Sequence, residues 1–198
     1  MYYNTKLDFL KELGNIGTGH ATTALSQMLK GELLRIEVPN VQLLSFNEAV
    51  AFVGGLEQVV VGIFVVVSGD VKGHMAFILP LGSAKTLVEL LTNESCQELD
   101  EMALSALQEL GNIMITSYLN ALAKLSNATL LPSVPGIAVD MAGAIWQSVL
   151  AGAEVVNMAT LIRTEFFTME KAIQGDIIFL PDEEDFQKLA HSLGLEEI

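Results

Sequence analysis

The chain has 198 residues, of which 51% are apolar, and a formal net charge of −14 from 24 acidic and 10 basic residues. This apolar content excludes a disordered chain, and the shortage of Lys and Arg argues against nucleic acid or an anionic membrane surface as the partner. The longest near-continuous apolar run, residues 59–67, is far shorter than the roughly 20 residues of a membrane-spanning helix, so we expect a buried strand there.

The N-terminus lacks the basic and apolar regions of a signal peptide. The single Cys96 offers no disulfide framework and suits a reducing compartment. We therefore expect a cytoplasmic protein.

The first half predicts one long helix followed by shorter elements. Apolar periodicity predicts that helix over residues 5–29, and Pro39 is expected to end the strand that follows it. The further elements are a strand, a short helix opened by the capping-box pattern Ser45-Phe46-Asn47-Glu48, a hairpin and a helix: 33–38, 45–55, 58–67 with 71–79, and 81–91.

The second half predicts the same order after a polar connector over residues 92–99. Pro135 should end an extended segment in which Pro132 permits an edge strand at best. Pro181 is expected at the first helical position of the last helix. The predicted elements are a long helix, the extended segment, a helix, a hairpin and a final helix: 100–125, 129–134, 139–150, 154–167 with 171–180, and 181–194.

A five-residue string occurs once in each half. Glu12-Leu13-Gly14-Asn15-Ile16 returns unchanged 97 residues later as Glu109-Leu110-Gly111-Asn112-Ile113. A long internal repeat of this kind indicates a tandem duplication. We predict an α+β fold with a pseudo-two-fold axis, in which the two motif-bearing helices pack on antiparallel β-sheet. The chain is then one domain made of two repeats, about 1–97 and 98–198.

Helical geometry places the repeated Glu and Asn on one polar stripe, one turn apart and opposite the apolar face. The stripe consists of Asp8, Glu12, Asn15 and Gly19 in the first helix and of Ser105, Glu109, Asn112 and Thr116 in the second. The glycines on the opposite side, Gly14, Gly17 and Gly111, are expected to permit close packing. Asn is a poor helix former, and an ordinary solvated face would not need it twice beside the same Glu. We therefore interpret the two Glu–Asn pairs as functional.

The pattern Asp/Ser-x-x-x-Glu-x-x-Asn in two copies resembles the CheC-type chemotaxis phosphatases. Both copies match it, a proline follows each copy at Pro39 and Pro135, and the resemblance continues through Ala138-Val139-Asp140-Met141 and Ala144-Ile145. It implies a protein phosphatase that hydrolyses the aspartyl-phosphate of the response regulator CheY. It also implies that the partner's active site supplies the Asp, the Lys and the Mg²⁺, so no cofactor or metal of the chain's own is expected.

The resemblance implies a role for each residue of the stripe. Asn15 or Asn112 would hold the attacking water in line with the phosphoryl group, and Glu12 or Glu109 would pair with the regulator's Lys. Asp8 and Ser105 complete the motif, while Gly19 and Thr116 are small enough to permit close approach. The sequence does not rank the two sites.

The resemblance further implies binding of CheD, a receptor deamidase. We expect the protein to be a monomer. The predicted helix over residues 139–150 would present Asp140, Gly143 and Ala144 on an exposed face for it. Alternatively, Asp140 only stabilises the helix N-terminus. Two other functions stay open, a CheD-binding adaptor with weak phosphatase activity and a component of a flagellar switch. The second is disfavoured because the sequence carries no appended segment.

Overall fold

The structure is a computed structural model and describes residues 12, 14–25, 35–149, 158–167 and 172–192. Residue 12 and residues 14–25 are helical and form α1. The elements after α1 are β1 Arg35–Ser45, α2 Phe46–Phe52, β2 Val59–Gly69, β3 Gly73–Pro80, α3 Leu81–Thr92, α4 Glu101–Ser126, β4 Leu130–Pro132, β5 Gly136–Met141, α5 Ala142–Val149, β6 Met158–Phe167, β7 Ala172–Pro181 and α6 Glu183–Ser192.

The seven strands form one antiparallel sheet in the order β1-β6-β7-β3-β2-β4, with β5 also paired to β2. The outer strands of each half pair with the hairpin of the other half. β1 from the first half completes the hairpin of the second, and β4 and β5 from the second half complete the hairpin of the first. The predicted α+β fold with helices on antiparallel sheet is confirmed.

The two ends of the sheet are paired in corresponding ways around its centre. β3 pairs with β7 in the middle, with Ala76 opposite Ile178 and Phe77 opposite Ile177. At one end β1 lies beside β6, and at the other end β4 and β5 lie in sequence beside β2. This reciprocal pairing supports the division into two repeats, which stays a prediction.

Helices cover both faces of the sheet. On one face, a buried cluster packs the sheet against α1, α3, α4 and α6 through side chains such as Leu25, Leu87, Leu110 and Leu189. The other joins the opposite face to α2 and α5, with Trp146 among its members. Because strands that are buried on both faces lose the apolar–polar alternation, residues 59–67 are almost continuously apolar. The two motif-bearing helices lie on the same face.

Local signals fixed several element ends correctly. The predicted capping box is confirmed: the Ser45 hydroxyl accepts from the backbone N–H of Glu48, and the Glu48 carboxylate accepts from the backbone N–H of Ser45. Asp100 caps α4, with its Oδ1 accepting from the N–H of Ala103 at 2.8 Å. Such side-chain caps satisfy the amide groups that have no partner within the helix.

Three predicted boundaries are wrong. The strand predicted to end at Pro39 continues to Ser45, with a register shift between Glu37 and Asn40. A bulge in a strand at the end of the sheet order accommodates a proline, since the missing N–H is not needed there. Pro181 is the last residue of β7 rather than the first of a helix. The predicted end at Gly194 lies outside the described residues.

The third correction affects a predicted site. Residues 139–141 belong to β5, and α5 begins only at Ala142. Met141 lies opposite Val59, and the N–H of Ala142 donates to the carbonyl of Gln58. Pairing with β2 therefore overrides the helical spacing of the apolar residues, as tertiary context often does for short segments.

Candidate active site

The first Glu–Asn pair lies on the solvent side of α1. Glu12, Asn15 and Gly19 are exposed, whereas Gly14 and Gly17 on the opposite side are buried. The predicted division of the helix into a polar stripe and a buried face is confirmed for these residues. Asp8 lies outside the described residues.

The second pair has the same placement on α4 but is less exposed. Ser105 and Glu109 are exposed, while Asn112 and Thr116 are half-buried. The buried face of this helix includes Leu107, Leu110, Gly111, Met114 and Ile115. The structure thus brings all four predicted members of this stripe to one side of α4.

Gly111, within the repeated string, seats α4 on the sheet. A Cβ at this position would lie 2.7 Å from Cγ2 of Ile63 in β2. Real Cβ atoms do not approach that closely, so any larger residue would lift the helix. The predicted packing role of this glycine is confirmed, and it fixes the height of Asn112 above the sheet.

The two motif helices also contact each other. A Cβ on Gly17 would lie 2.4 Å from the ring of Tyr118, which is 1% exposed. The Thr18 hydroxyl donates to the carbonyl of Gly14 at 2.6 Å and lies 3.3 Å from the Tyr118 hydroxyl, from which it can accept. Burial raises the pKa of Tyr118, so this phenol stays protonated and available as a donor. The contact fixes α1 against α4.

A further polar contact connects the second motif to the chain beyond it. The side-chain amide of Gln108 donates to the carbonyl of Pro135 at 2.5 Å. Gln108 precedes Glu109, so the segment between β4 and β5 is attached to the motif turn. This residue could not be found from the repeat, because Lys11 occupies the equivalent position of the first half.

An open depression adjoins the second pair. Its volume is about 730 Å³, and its lining residues are Asp100, Glu101, Met102, Ser105, Ala106 and Glu109. Met102 is 67% exposed and is the one large apolar side chain among these lining residues. Acidic groups around an exposed apolar side chain form a surface suited to a partner with apolar and basic groups.

Each stripe presents a carboxylate and an amide one turn apart, and the stripe on α4 adds the hydroxyls of Ser105 and Thr116. No group of three or more His, Cys, Asp or Glu side chains in the described ranges is placed to hold a metal ion. A carboxylate can receive a cation, and an amide can donate and accept hydrogen bonds at the same time. Such a pair can complete a reactive site that a partner supplies.

Within the same ranges, no helix combines the length and the apolar character needed to cross a membrane.

The residues predicted to bind a second partner do not share a helix face. Asp140 is exposed on β5, opposite Val60, and its Oδ1 accepts from the N–H of Met141. Gly143 and Ala144 are half-buried in α5, and the N–H of Gly143 donates to the carbonyl of Leu56. The predicted flat, exposed helix face is therefore wrong, although its role in partner binding stays a prediction.

Comparison with known proteins gives matches over both motif helices and over the whole chain. A model of the CheC-like family matches residues 6–42 and 102–139, the two segments that contain the Glu–Asn pairs. The chain is 40% identical over 198 residues to the CheY-P phosphatase CheC of Bacillus subtilis (strain 168), which covers 96% of this chain and 94% of that protein.

Solved structures share the fold. FliY of Thermotoga maritima matches with a TM-score of 0.74 at 21% identity, over 96% of each chain. CheX in the CheX–CheY–BeF3–Mg²⁺ complex from Borrelia burgdorferi matches with a TM-score of 0.52 at 15% identity, over 92% of this chain and 99% of that one. With an α+β fold and two Glu–Asn pairs on exposed helix faces, and with this identity over almost its full length, the chain belongs to the CheC-like family.

Proposed function

We propose that this protein is a phosphatase that hydrolyses the aspartyl-phosphate of the response regulator CheY. The observation that carries the proposal is a Glu–Asn pair on the solvent side of a helix, which occurs once on α1 and once on α4. Both residues of the α1 pair are exposed, whereas in the α4 pair Glu109 is exposed and Asn112 is half-buried. The name of the Bacillus subtilis relative, CheY-P phosphatase CheC, supports the same activity. The likeness to FliY shows the fold alone and does not favour a flagellar-switch role.

Each pair acts as a two-part insert into the regulator's active site. The carboxylate of Glu12 or Glu109 accepts a hydrogen bond from the ammonium group of the regulator's Lys and sets the docking register. Asn15 or Asn112, one turn further along the same face, holds a water in line with the phosphoryl group. The regulator contributes the phosphorylated Asp and the Mg²⁺, so this chain needs neither a nucleophile nor a metal of its own.

The second pair has room for a partner beside it. The depression next to Glu109 is open to solvent, and its exposed Met102 offers an apolar contact. Glu109 itself is exposed, so it can pair with a cation without prior rearrangement. A protein substrate that presents a Lys beside its reactive group fits this surface better than a small molecule does, because the depression is open and is lined by acidic side chains.

The test is release of inorganic phosphate from CheY that has been charged with acetyl phosphate. Asn15→Ala and Asn112→Ala should each leave partial activity, because the other pair remains. The double variant should lose about 100-fold or more, the typical effect of removing a group that stabilises the transition state. Asn120→Ala, at an exposed position two turns beyond Asn112 on α4, is the matched control and should keep the full rate. A folded double variant with the wild-type rate would refute the proposal.

We also infer a binding site for CheD around Asp140. Asp140 is exposed on β5, and large apolar side chains that are 42–57% exposed lie on the same strand, on its partner strand and in the segment before that strand: Val139, Met141, Val59 and Leu56. Several exposed apolar side chains in one region are typical of a protein-binding surface. Asp140→Lys should weaken CheD binding in titration calorimetry and leave phosphate release without CheD unchanged. An unchanged CheD affinity would assign Asp140 a purely local role.

A cytoplasmic location and a monomeric state stay predictions.

A further inference from the structure

The two sites differ at the position one turn beyond the catalytic Asn. The α4 site has Thr116 there, and its Oγ1 lies 3.5 Å from Oδ1 of Asn112. The α1 site has Gly19 at the equivalent position, 97 residues earlier. Asn112 and Thr116 are half-buried, whereas Asn15 and Gly19 are exposed. The two carboxamides are therefore held in different surroundings.

Thr116 differs from four other threonines in the described helices. In four of them the hydroxyl donates to the backbone carbonyl four residues earlier, the usual arrangement for threonine within a helix: Thr18, Thr23, Thr86 and Thr92. The Thr116 hydroxyl instead faces the side-chain oxygen of the residue four positions earlier. Its contact is thus with the functional amide rather than with the backbone.

We propose that Thr116 is a positioning residue that orients the carboxamide of Asn112, and that the α4 site consequently turns over faster than the α1 site. This inference rests on the proposed phosphatase function. A hydroxyl that donates to Oδ1 selects one of the two flipped orientations of the amide. It leaves the second lone pair of Oδ1 and both N–H groups for the water and the phosphoryl oxygens. An amide that is oriented before the partner docks loses less freedom on reaching the reactive geometry.

The distance fits a contact that closes when the partner docks. A hydroxyl-to-oxygen hydrogen bond is strongest near 2.7–2.8 Å, and 3.5 Å is longer than that. Hydrogen bonds in catalytic sites are often long in the free protein and shorten in the complex. In α1, no side chain at position 19 can play this part, and a Cβ added to Gly19 would meet nothing within 4 Å.

The first experiment isolates the α4 site by Asn15→Ala and measures phosphate release from acetyl-phosphate-charged CheY. Thr116→Val keeps the shape and removes the hydroxyl, so kcat should fall about 2- to 12-fold, as expected for one net hydrogen bond. KM should not change, because Glu109 still sets the docking. Thr116→Ser restores a hydroxyl and should return kcat to within about twofold of the parent.

The second experiment isolates the α1 site by Asn112→Ala and installs the missing group. Gly19→Thr should raise kcat, whereas Gly19→Val should not. Thr and Val have similar helix propensity, and both enter open space, so their difference isolates the hydroxyl. Before either change, the variant that retains only the α4 site should have the higher kcat.

The outcomes separate this inference from the function on which it rests. A folded Asn15→Ala/Asn112→Ala variant with wild-type phosphate release would overturn the phosphatase mechanism itself. If that variant is inactive, equal kcat values for Thr116→Val and its parent, or a loss confined to KM, would overturn the role of Thr116. Equal effects of Gly19→Thr and Gly19→Val would do the same in the α1 site, which keeps the test valid even if Thr116→Val disturbs α4.

Discussion

Gly111→Ala tests the packing that places the α4 site. The added Cβ would lie 2.7, 2.8 and 2.9 Å from Cγ2, Cβ and Cγ1 of Ile63, whereas ordinary contact begins at 3.4 Å. All three atoms belong to the branch point of a fully buried side chain, so no rotation of Ile63 can remove the overlap. The helix must rise from the sheet by several tenths of an ångström or more.

The expected cost follows from two opposing effects. Overpacking a well-filled core costs about 1–3 kcal/mol, and replacing a mid-helix Gly by Ala returns up to about 1 kcal/mol. Gly111→Ala should therefore lower the free energy of unfolding by about 1–2 kcal/mol. Gly19→Ala is the matched control, because its Cβ meets nothing within 4 Å and only the helix-propensity gain remains. It should stabilise the protein by up to about 1 kcal/mol.

Urea unfolding of both variants measures these differences, with an unchanged m-value as the sign that the folded and unfolded states are otherwise comparable. The phosphate-release rate of Gly111→Ala in the Asn15→Ala background should also fall, because Asn112 follows the displaced residue directly. If Gly111→Ala unfolds at the same or a higher urea concentration than the wild type, α4 is not seated on β2 as described. The contact between Gly111 and Ile63 would then not determine the position of Asn112.

Three smaller predictions concern docking, pH and a buried ion pair. In steady-state assays of the variant that retains only the α4 site, Met102→Glu should raise KM for phosphorylated CheY about tenfold, equivalent to about 1.4 kcal/mol, and leave kcat unchanged. An unchanged KM would show that the depression is not part of the docking surface. Burial lowers the pKa of His74 from 6.5, although the nearby charge of Asp182 acts in the opposite direction. The unfolded chain therefore binds more protons than the folded one, so the contribution of neutral His74 to the free energy of unfolding is complete above pH 6.5 and declines as the pH falls below it. The melting temperature of His74→Gln should decline less over this range than that of the wild type. Arg163 binds Asp176 through Nε at 2.9 Å and a terminal nitrogen at 3.0 Å, and Arg163→Lys should cost about 1–2 kcal/mol in urea unfolding because one bond of a largely buried carboxylate is lost.

The sequence predicted correctly those features whose pattern lies entirely within one helix or at its end. The repeated string, the polar stripe and the capping residues each occupy a few consecutive turns, so their periodicity alone placed Glu109 and Asn112 on the exposed side of α4. The buried glycines were predicted for the same reason. Their neighbours, Ile63 for Gly111 and Tyr118 for Gly17, could not be predicted because they come from distant parts of the chain.

The errors arose where pairing between distant segments decides the structure. Residues 139–141 have helix-compatible spacing, but β2 offers them a row of backbone partners. Pro39 is a strong local signal for the end of a strand, yet β1 continues past it beside β6 through a register shift. Local propensity contains no term for either partner. The contact between Gln108 and Pro135 is of the same kind, since it joins residues that only the folded sheet brings together.

The exchanged strands explain why the two sites can differ without disturbing the fold. Each hairpin is completed by strands from the other half, and α1 packs on α4 through Gly17 and Tyr118, so the two halves share one core. A change on the buried faces would be felt by both sites. The exposed stripe carries no such constraint: position 19 faces open space, and its counterpart Thr116 is only half-buried. Differences between the sites can therefore accumulate one turn beyond each Asn, which is where the hydroxyl proposed to orient Asn112 lies.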